Sequence, residues 1–123
     1  LGDVYKRQEI KNRKKVLRNQ LKSLPLNPNH KNLIIAYEPV WAIGTGKVAT
    51  PDQAQAVHSH IRYKLSQLSD QSVAESCPIL YGGSVDKQSI KEFSSIREVD
   101  GFLIGGASKS SKNFIDIIKN FYK

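Results

Sequence analysis

Three short, mostly apolar runs recur along this chain, with longer mixed segments between them. They are residues 33–37 (LIIAY), 78–81 (PILY) and 99–104 (VDGFLI). A short apolar run without strict alternation is typical of a strand that is buried on both faces of a parallel sheet. The pattern therefore predicts three strands of one parallel sheet.

The segments around these runs carry apolar residues at helical spacing. They predict helices over residues 10–24, 51–68, 86–93 and 112–122. Thr50 is the expected N-cap of the second helix, with Pro51 at the first helical position and Gln53 completing a capping box. In the last two helices, the residues expected to face the core are Ile90, Phe93, Phe114, Ile117, Ile118 and Phe121.

Helices that alternate with strands indicate an α/β fold with right-handed crossovers. Three strands are few for a parallel sheet, which normally has both faces covered. A closed barrel of alternating strands and helices has eight strands and about 250 residues. The 123 residues of this chain amount to about half of such a barrel.

We expect the first eight residues of the chain to come from a sequencing adapter. Residues 1–8 read LGDVYKRQ, which is the translation of the transposon-derived sequencing adapter CTCGGAGATGTGTATAAGAGACAG. Agreement over all these codons is improbable by chance. We therefore expect residues 1–8 to be non-native and residues 9–123 to form part of a single domain.

Composition and charge narrow the class of protein. Hydrophobic residues make up 39% and charged residues 24% of the chain, as in globular domains, and no apolar run approaches the length of a membrane span. The single cysteine, Cys77, is expected to be a small core residue in a reducing, cytoplasmic setting. The net charge of +8 suits solvated helix faces, attraction of a phosphorylated substrate, or a nucleic-acid-binding module. A nucleic-acid-binding module is disfavoured, because the sequence shows no recognition helix, zinc ligands or aromatic stacking platform.

Each predicted strand ends in a loop that contains glycine. Glu38 and the Gly44 loop follow the first strand, GGS follows the second, and GGAS follows the third. In parallel α/β folds, ligands bind at the carboxyl ends of strands, where glycines let backbone N–H groups approach an anion. A charged Glu38 in this place is either a base, made stronger by partial burial, or a member of a surface ion pair.

Three segments together resemble the triosephosphate isomerase family. They are AYEPVWAIGTGK (residues 36–47), YGGSV (81–85) and DGFLIGGAS (100–108), in the family's order and at its usual separations. The resemblance extends from residue 9 to residue 123. It implies the C-terminal part of a TIM (β/α)8 barrel, namely parallel strands 6–8 with their helices, and an enzyme without cofactor or metal.

The resemblance also implies a role for individual residues. Glu38 matches the base that moves a proton between the carbons of dihydroxyacetone phosphate and glyceraldehyde 3-phosphate. The matches to positions that hold the substrate phosphate through backbone N–H groups are Gly44, Ser84, Gly105 and Gly106. The matches to a closing lid and its two hinges are Pro39, Val40, Trp41, Lys47, Val48 and Ala49. Tyr81 and Ser84 match residues that hydrogen-bond the closed lid.

The resemblance leaves some of the family's site unmatched. The histidines of this chain, His30, His58 and His60, do not match the catalytic histidine and are expected at the surface or in packing. We expect that histidine, the substrate-binding asparagine and lysine, and the dimer loop to lie in a missing N-terminal half. The chain alone is therefore expected to be inactive. Lys109 stands where the family usually has an apolar residue, at some cost in packing.

The parent enzyme implied by the resemblance is a cytoplasmic homodimer of glycolysis and gluconeogenesis that binds triose phosphates, with neither nucleic acid nor membrane as partner. Another phosphate-binding barrel enzyme remains an alternative, because paired glycines alone would also serve other sugar phosphates. The Glu38 segment argues against that alternative.

Overall fold

The structure is a computed structural model that describes residues 2–23, 32–39 and 49–122, with only the backbone for residues 2–10. The helices are α1 (Gly2–Lys22), α2 (Pro51–Leu68), α3 (Gln71–Ser76), α4 (Ser89–Phe93) and α5 (Ser111–Phe121). The strands are β1 (Ile35–Tyr37), β2 (Ile79–Tyr81) and β3 (Gly101–Phe102). A single 3₁₀ turn, Gly106–Lys109, lies between β3 and α5 in the described part of the chain.

The chain divides into two compact units. The helical unit comprises Leu1–Lys31 and Ile61–Ser76, and the sheet unit comprises Asn32–His60 and Cys77–Lys123. Helix α2 contributes its first part to the sheet unit and its second part to the helical unit. In the helical unit, the buried apolar residues are Leu21, Ile61, Leu65, Val73 and Ala74.

The sheet has the order β1-β2-β3, and both pairs of strands are parallel, as predicted. Tyr37 of β1 aligns with Tyr81 of β2, which aligns with Phe102 of β3. The Asp100 carboxylate joins the beginnings of two strands, because its Oδ2 accepts a hydrogen bond from the Ile79 N–H at 2.9 Å. This register brings the carboxyl ends of all three strands to one edge of the sheet.

The capping box of α2 is confirmed. Gln53 N–H donates to Thr50 Oγ1 at 3.1 Å, and Thr50 N–H donates to Gln53 Oε1 at 3.0 Å. The two side chains thus satisfy backbone donors that a helix start leaves without partners. The start of α1 was predicted at residue 10, but the helix begins at Gly2. A helical backbone is compatible with either origin of residues 1–8, so their adapter origin stays a prediction.

Helix α3 and the 3₁₀ turn were not predicted. The signal for α3 was Asp70, whose Oδ1 accepts a hydrogen bond from the Val73 N–H at 2.8 Å. An aspartate three residues before a buried valine is a typical helix N-cap. The residue pattern did not predict α3, because the helix is short and offers little periodicity.

The core of the sheet unit is aromatic. Tyr81 stacks on Phe93 at 4.6 Å between ring centroids, Phe93 meets Phe102 edge-on at 6.2 Å, and Phe102 meets Phe121 at 5.8 Å. Each such pair contributes about 0.5–1.5 kcal/mol beyond the burial of its surface. The buried residues of this core are Ala49, Ala54, Tyr81, Val85, Ile90, Phe93 and Ile117.

Helix α5 departs from the prediction. Ile117 is buried and Phe121 is partly buried against the core, but Phe114 and Ile118 remain 38% and 41% exposed. The prediction that all four face the core was therefore wrong for Phe114 and Ile118. Helix α5 packs on α4 and the 3₁₀ turn, and Phe121 also meets Phe102 of β3.

Cys77 is buried, and its thiol donates a weak hydrogen bond to the Leu33 carbonyl at 3.4 Å. This environment agrees with the expected role as a small core residue.

Asp86 caps α4, and its Oδ1 accepts hydrogen bonds from the N–H groups of Ser89 and Gln88 at 2.8 and 2.9 Å. The Ser89 N–H is the main cause that holds the pKa of Asp86 below its ordinary value, against a smaller opposing effect of burial. A lowered folded-state pKa stabilises the fold above the unfolded-state pKa of about 3.9, and this stabilisation is lost as the pH falls through the folded-state value.

We expect Asp86→Ala to lower the free energy of unfolding by about 1 kcal/mol at neutral pH, as loss of a helix cap usually does. The loss should shrink in acid, as the pH falls through the lowered folded-state pKa of Asp86 and the wild-type carboxylate becomes protonated. Urea titrations at both pH values measure this. Asp86→Asn is the control, because it keeps an acceptor oxygen but does not titrate. If Asp86→Ala lowers the free energy of unfolding equally at both pH values, the expectation is contradicted.

Candidate functional site

The predicted site residues that the structure describes follow the carboxyl ends of the three strands. Glu38 follows β1 directly, Gly82 to Ser84 follow β2, and Gly105 and Gly106 lie shortly after β3. Since the strands are parallel, these loops share one edge of the sheet. This edge is where parallel α/β folds bind their ligands.

Glu38 and Gly82 are in close contact. A Cβ atom placed on Gly82 would lie 2.7 Å from Glu38 Cγ and 3.4 Å from Glu38 Oε1. The Gly82 N–H also donates to the Tyr37 carbonyl at 2.8 Å, which fixes the backbone of the two loops relative to each other. The absence of a side chain at Gly82 therefore leaves the space in which the Glu38 side chain lies.

The expectation that Glu38 is partly buried was wrong for this chain, because Glu38 is exposed. In the described residues, β1 is the first strand of the sheet and pairs only with β2. Among the described residues, the neighbour of Glu38 across the sheet is therefore Gly82.

Tyr81 links the loop after β2 to Ala49. Its hydroxyl oxygen accepts a hydrogen bond from the Ala49 N–H at 3.2 Å, and its ring is fully buried. Burial raises the pKa of the Tyr81 phenol above its ordinary value, and the Ala49 N–H opposes this rise only in part. The phenol is therefore protonated at neutral pH. Since Ala49 ends the predicted lid segment, the bond gives Tyr81 a position suited to lid binding.

Gly83 lies against the same tyrosine. A Cβ atom placed on Gly83 would lie 2.8 Å from Tyr81 Cε1 and still closer to Tyr81 Cζ and its hydroxyl oxygen. The two consecutive glycines thus serve different neighbours, because Gly82 accommodates Glu38 and Gly83 accommodates Tyr81. The sequence predicted an anion-binding turn at this pair, and neither contact was predicted from it.

Gly105 and Gly106 have open surroundings. A Cβ atom at either position would meet no atom within 4 Å in the described structure, and both residues are exposed. Neither contact nor burial within the described chain explains a glycine there, which leaves room for a ligand to approach the backbone. The α-helix predicted from residue 112 begins at Ser111, and the 3₁₀ turn lies between it and Gly105.

Ser84 is half-buried in the loop after β2, and Pro39 is buried directly after Glu38. Lys109 is exposed at the end of the 3₁₀ turn, so its charge is solvated. The remaining predicted site residues lie outside the described residues, and their roles stay predictions: they are Val40, Trp41, Gly44, Lys47 and Val48.

His58 is a buried polar residue beside the last residues of β1 and β2. It is fully buried, with ring centroids 6.1 Å from Tyr37 and 6.3 Å from Tyr81. These contacts agree with the expected packing role. His60 is half-buried, and His30 lies outside the described residues.

The described residues contain no cluster of three or more His, Cys, Asp and Glu residues that could hold a metal ion. In that part of the chain, no helix is both long and apolar enough to cross a membrane.

Comparison with known proteins identifies the family. The family model described as triosephosphate isomerase matches residues 1–121. A triosephosphate isomerase of Chlamydia trachomatis serovar D is 45% identical over 97% of this chain and 44% of its own length. One of Neurospora crassa is 51% identical over 85% of this chain and 42% of its own. The cytosolic triosephosphate isomerase of Oryza sativa subsp. japonica is 57% identical over 72% of this chain and 35% of its own.

The chain thus spans less than half the length of these relatives. The family model nevertheless covers nearly all of it, and the parallel three-stranded sheet fits part of a TIM barrel. The chain belongs to the triosephosphate isomerase family.

Proposed function

We propose that the protein to which this chain belongs interconverts dihydroxyacetone phosphate and D-glyceraldehyde 3-phosphate, with Glu38 as the base. The observation that carries this proposal is the contact of Glu38 with Gly82, which holds a carboxylate at the edge of the sheet where the three parallel strands end. The family match favours this reaction over those of other phosphate-binding barrels.

In this mechanism, the Glu38 carboxylate takes a proton from the hydroxyl-bearing carbon next to the substrate carbonyl. The electron pair of the broken C–H bond forms the enediolate. The protonated Glu38 then returns a proton to the neighbouring carbon, and the proton of the original hydroxyl passes to the former carbonyl oxygen, which gives the aldehyde and the new hydroxyl group. A positioned side chain that transfers a proton in this way accelerates a reaction by about 10²- to 10⁴-fold.

The backbone around the base would hold the substrate phosphate. Gly105 and Gly106 suit this role because their backbone is exposed and has open space beside it. Gly44 and Ser84 complete the set by resemblance to the family. The segment from residue 39 to residue 49 would close over the substrate and exclude water, with Ala49 held by the Tyr81 hydroxyl.

The proposal also covers the cellular location, the oligomeric state and the pathway of the whole protein. We place it in the cytoplasm, as a homodimer that acts in glycolysis and gluconeogenesis on triose phosphates alone. The relative from Oryza sativa, which is named cytosolic, supports the location.

Solvent deuterium tests the proposed reaction. The completed enzyme for this test carries the amino-terminal portion of the Chlamydia trachomatis serovar D relative before residue 9 of this chain. In D₂O it should convert dihydroxyacetone phosphate to glyceraldehyde 3-phosphate with deuterium on the carbon next to the aldehyde. The 123-residue chain alone should show little or no turnover. If the completed enzyme fails to isomerise the substrate, the proposed function is wrong.

We expect Gly82→Ala to impair catalysis more than stability. The new methyl group would take the space of Glu38 Cγ and turn the carboxylate away from the substrate. A displacement of about 1 Å can cost about 100-fold in rate, whereas the exposed Glu38 side chain moves at a cost of about 1 kcal/mol. The measurements are kcat of the completed enzyme and its unfolding midpoint in urea.

Gly101→Ala is the matched control for Gly82→Ala. The added Cβ at Gly101 would meet the end of the flexible Leu80 side chain at 2.9 Å, and not Glu38. An equal loss of kcat in both variants would show that the Glu38 contact does not matter.

A further inference from the structure

The positive charge of this chain is concentrated in and just after helix α1. Residues 10–37 contain seven Lys and Arg residues and no Asp or Glu, so they carry +7 of the chain's net charge of +8. The rest of the chain is nearly neutral. A charge asymmetry of this kind within one chain is typical of proteins that bind nucleic acid or anionic surfaces.

Five of these cations lie on one side of α1. All five are exposed, and we call them the basic stripe: Lys11, Lys14, Lys15, Arg18 and Lys22. At 3.6 residues per turn they fall within an arc of about 100° and span about 16 Å along the helix axis. Leu21 lies on a different side of the helix and is buried, so the stripe stays open to solvent while another side packs.

The basic stripe repels itself. Each of its residues has another cation of the stripe three or four positions away, and like charges at this spacing destabilise a helix. A helix face that is only solvated usually carries both signs of charge at these spacings. Helix α1 has no acidic residue after Glu9. A bound polyanion would relieve the repulsion along the whole stripe.

Two kinds of polyanion fit the basic stripe poorly. The centres of protein interfaces are depleted of lysine and enriched in aromatic residues, whereas the stripe has four lysines and no aromatic residue. A helix that binds a membrane surface inserts its apolar side into the lipid. In α1 that side is already in use, because Leu21 is only 5% exposed.

The backbone of a nucleic-acid duplex fits the stripe in both length and charge. One strand of a duplex has a phosphate about every 3.4 Å, so about 16 Å of it presents about five phosphates. The stripe offers five cations over the same length. Contacts to phosphates carry no sequence information, so they need neither a recognition helix nor an aromatic stacking platform.

We propose that the basic stripe of α1 binds the phosphate backbone of duplex nucleic acid without sequence preference. The resemblance to the family implied no such partner, and the charge on α1 is what favours it. This binding is independent of the proposed isomerase reaction, so its test requires no turnover.

Fluorescence anisotropy of a short labelled DNA duplex, titrated with the full 123-residue chain, tests this proposal. The logarithm of the binding constant should fall with the logarithm of the salt concentration with a slope of about −4.5, or about 500-fold between about 50 and 200 mM salt. A duplex of unrelated sequence should bind equally well. A strong preference for one sequence would contradict binding through the backbone alone.

Two double variants remove cations from the stripe. Lys15→Gln with Arg18→Gln should reduce the slope by about 1.8 and weaken binding in about 50 mM salt at least about tenfold. Lys11→Gln with Lys22→Gln, at the ends of the stripe, should have a similar effect. Glutamine is a good helix former, and circular dichroism of each variant checks that α1 persists.

Lys112→Gln with Lys119→Gln is the matched control, since it removes the same charge from exposed positions of α5. It should keep the wild-type slope. An equal reduction of the slope in the control and in the stripe variants, or no binding of the duplex in about 50 mM salt, would overturn the proposal. Binding of phosphatidylserine vesicles or of polyglutamate, but not of the duplex, would overturn it in favour of a membrane or an acidic protein.

Discussion

Replacement of Glu38 by glutamine will reduce kcat of the completed enzyme by at least about 100-fold, because an amide of the same size cannot take up the substrate proton. Glutamine keeps the shape that lies against Gly82, so the loop arrangement should persist. Since Glu38 is exposed, the free energy of unfolding should change by less than about 1 kcal/mol. Steady-state kinetics in both directions and urea titrations of the same preparations measure the two quantities.

Glu92→Gln is the matched control for this variant. Glu92 is also exposed, but it lies in α4, away from the strand ends. The control should keep the wild-type kcat. Unchanged turnover of Glu38→Gln would remove Glu38 from the mechanism, whatever the fold.

Gly83→Ala will cause the largest loss of stability, about 3 kcal/mol. The added methyl group would overlap the Tyr81 ring, which is fully buried and stacked on Phe93 at 4.6 Å. Overpacking of a core that cannot relax usually costs about 1–3 kcal/mol, and displacement of the ring would also break the hydrogen bond from Ala49, at about 1 kcal/mol. Urea unfolding of the 123-residue chain measures the change.

Gly106→Ala separates this steric effect from the general effect of adding a methyl group. A Cβ at Gly106 meets nothing within 4 Å, so its stability should stay within about 1 kcal/mol of the wild type. A second test adds Tyr81→Phe to Gly83→Ala, which removes the hydroxyl from the closest contact and should recover part of the loss. Equal stability of the two glycine variants would mean that the Tyr81 ring does not restrain Gly83.

The two glycine contacts explain how one short loop serves both stability and the proposed chemistry. Gly83 accommodates a buried ring that holds Ala49, and Gly82 accommodates the exposed side chain of the proposed base. Substitution of Gly83 should therefore mainly lower stability, and substitution of Gly82 should mainly lower kcat. The loop after β2 connects the core of the sheet unit to the edge where substrate would bind.

Much of this arrangement could be predicted from local sequence. Apolar runs predicted all three parallel strands, and Thr50 and Gln53 predicted the start of α2, because strand burial and helix capping depend on residues close together in the chain. The glycine-bearing loops and Glu38 also predicted a site at the edge of the sheet where the strands end, and this site stays a proposal. The three motifs were enough to indicate the family, which the comparisons confirm.

Other features depend on residues far apart in the chain, and only the tertiary structure decided them. Nothing in the order of residues shows that Glu38 lies on Gly82, since that contact follows from the register of β1 and β2. Helical periodicity identified the apolar residues of α5 but not which of them are covered. Ile117 is buried and Ile118 is exposed because burial depends on what packs against a helix, and that is set by the rest of the fold.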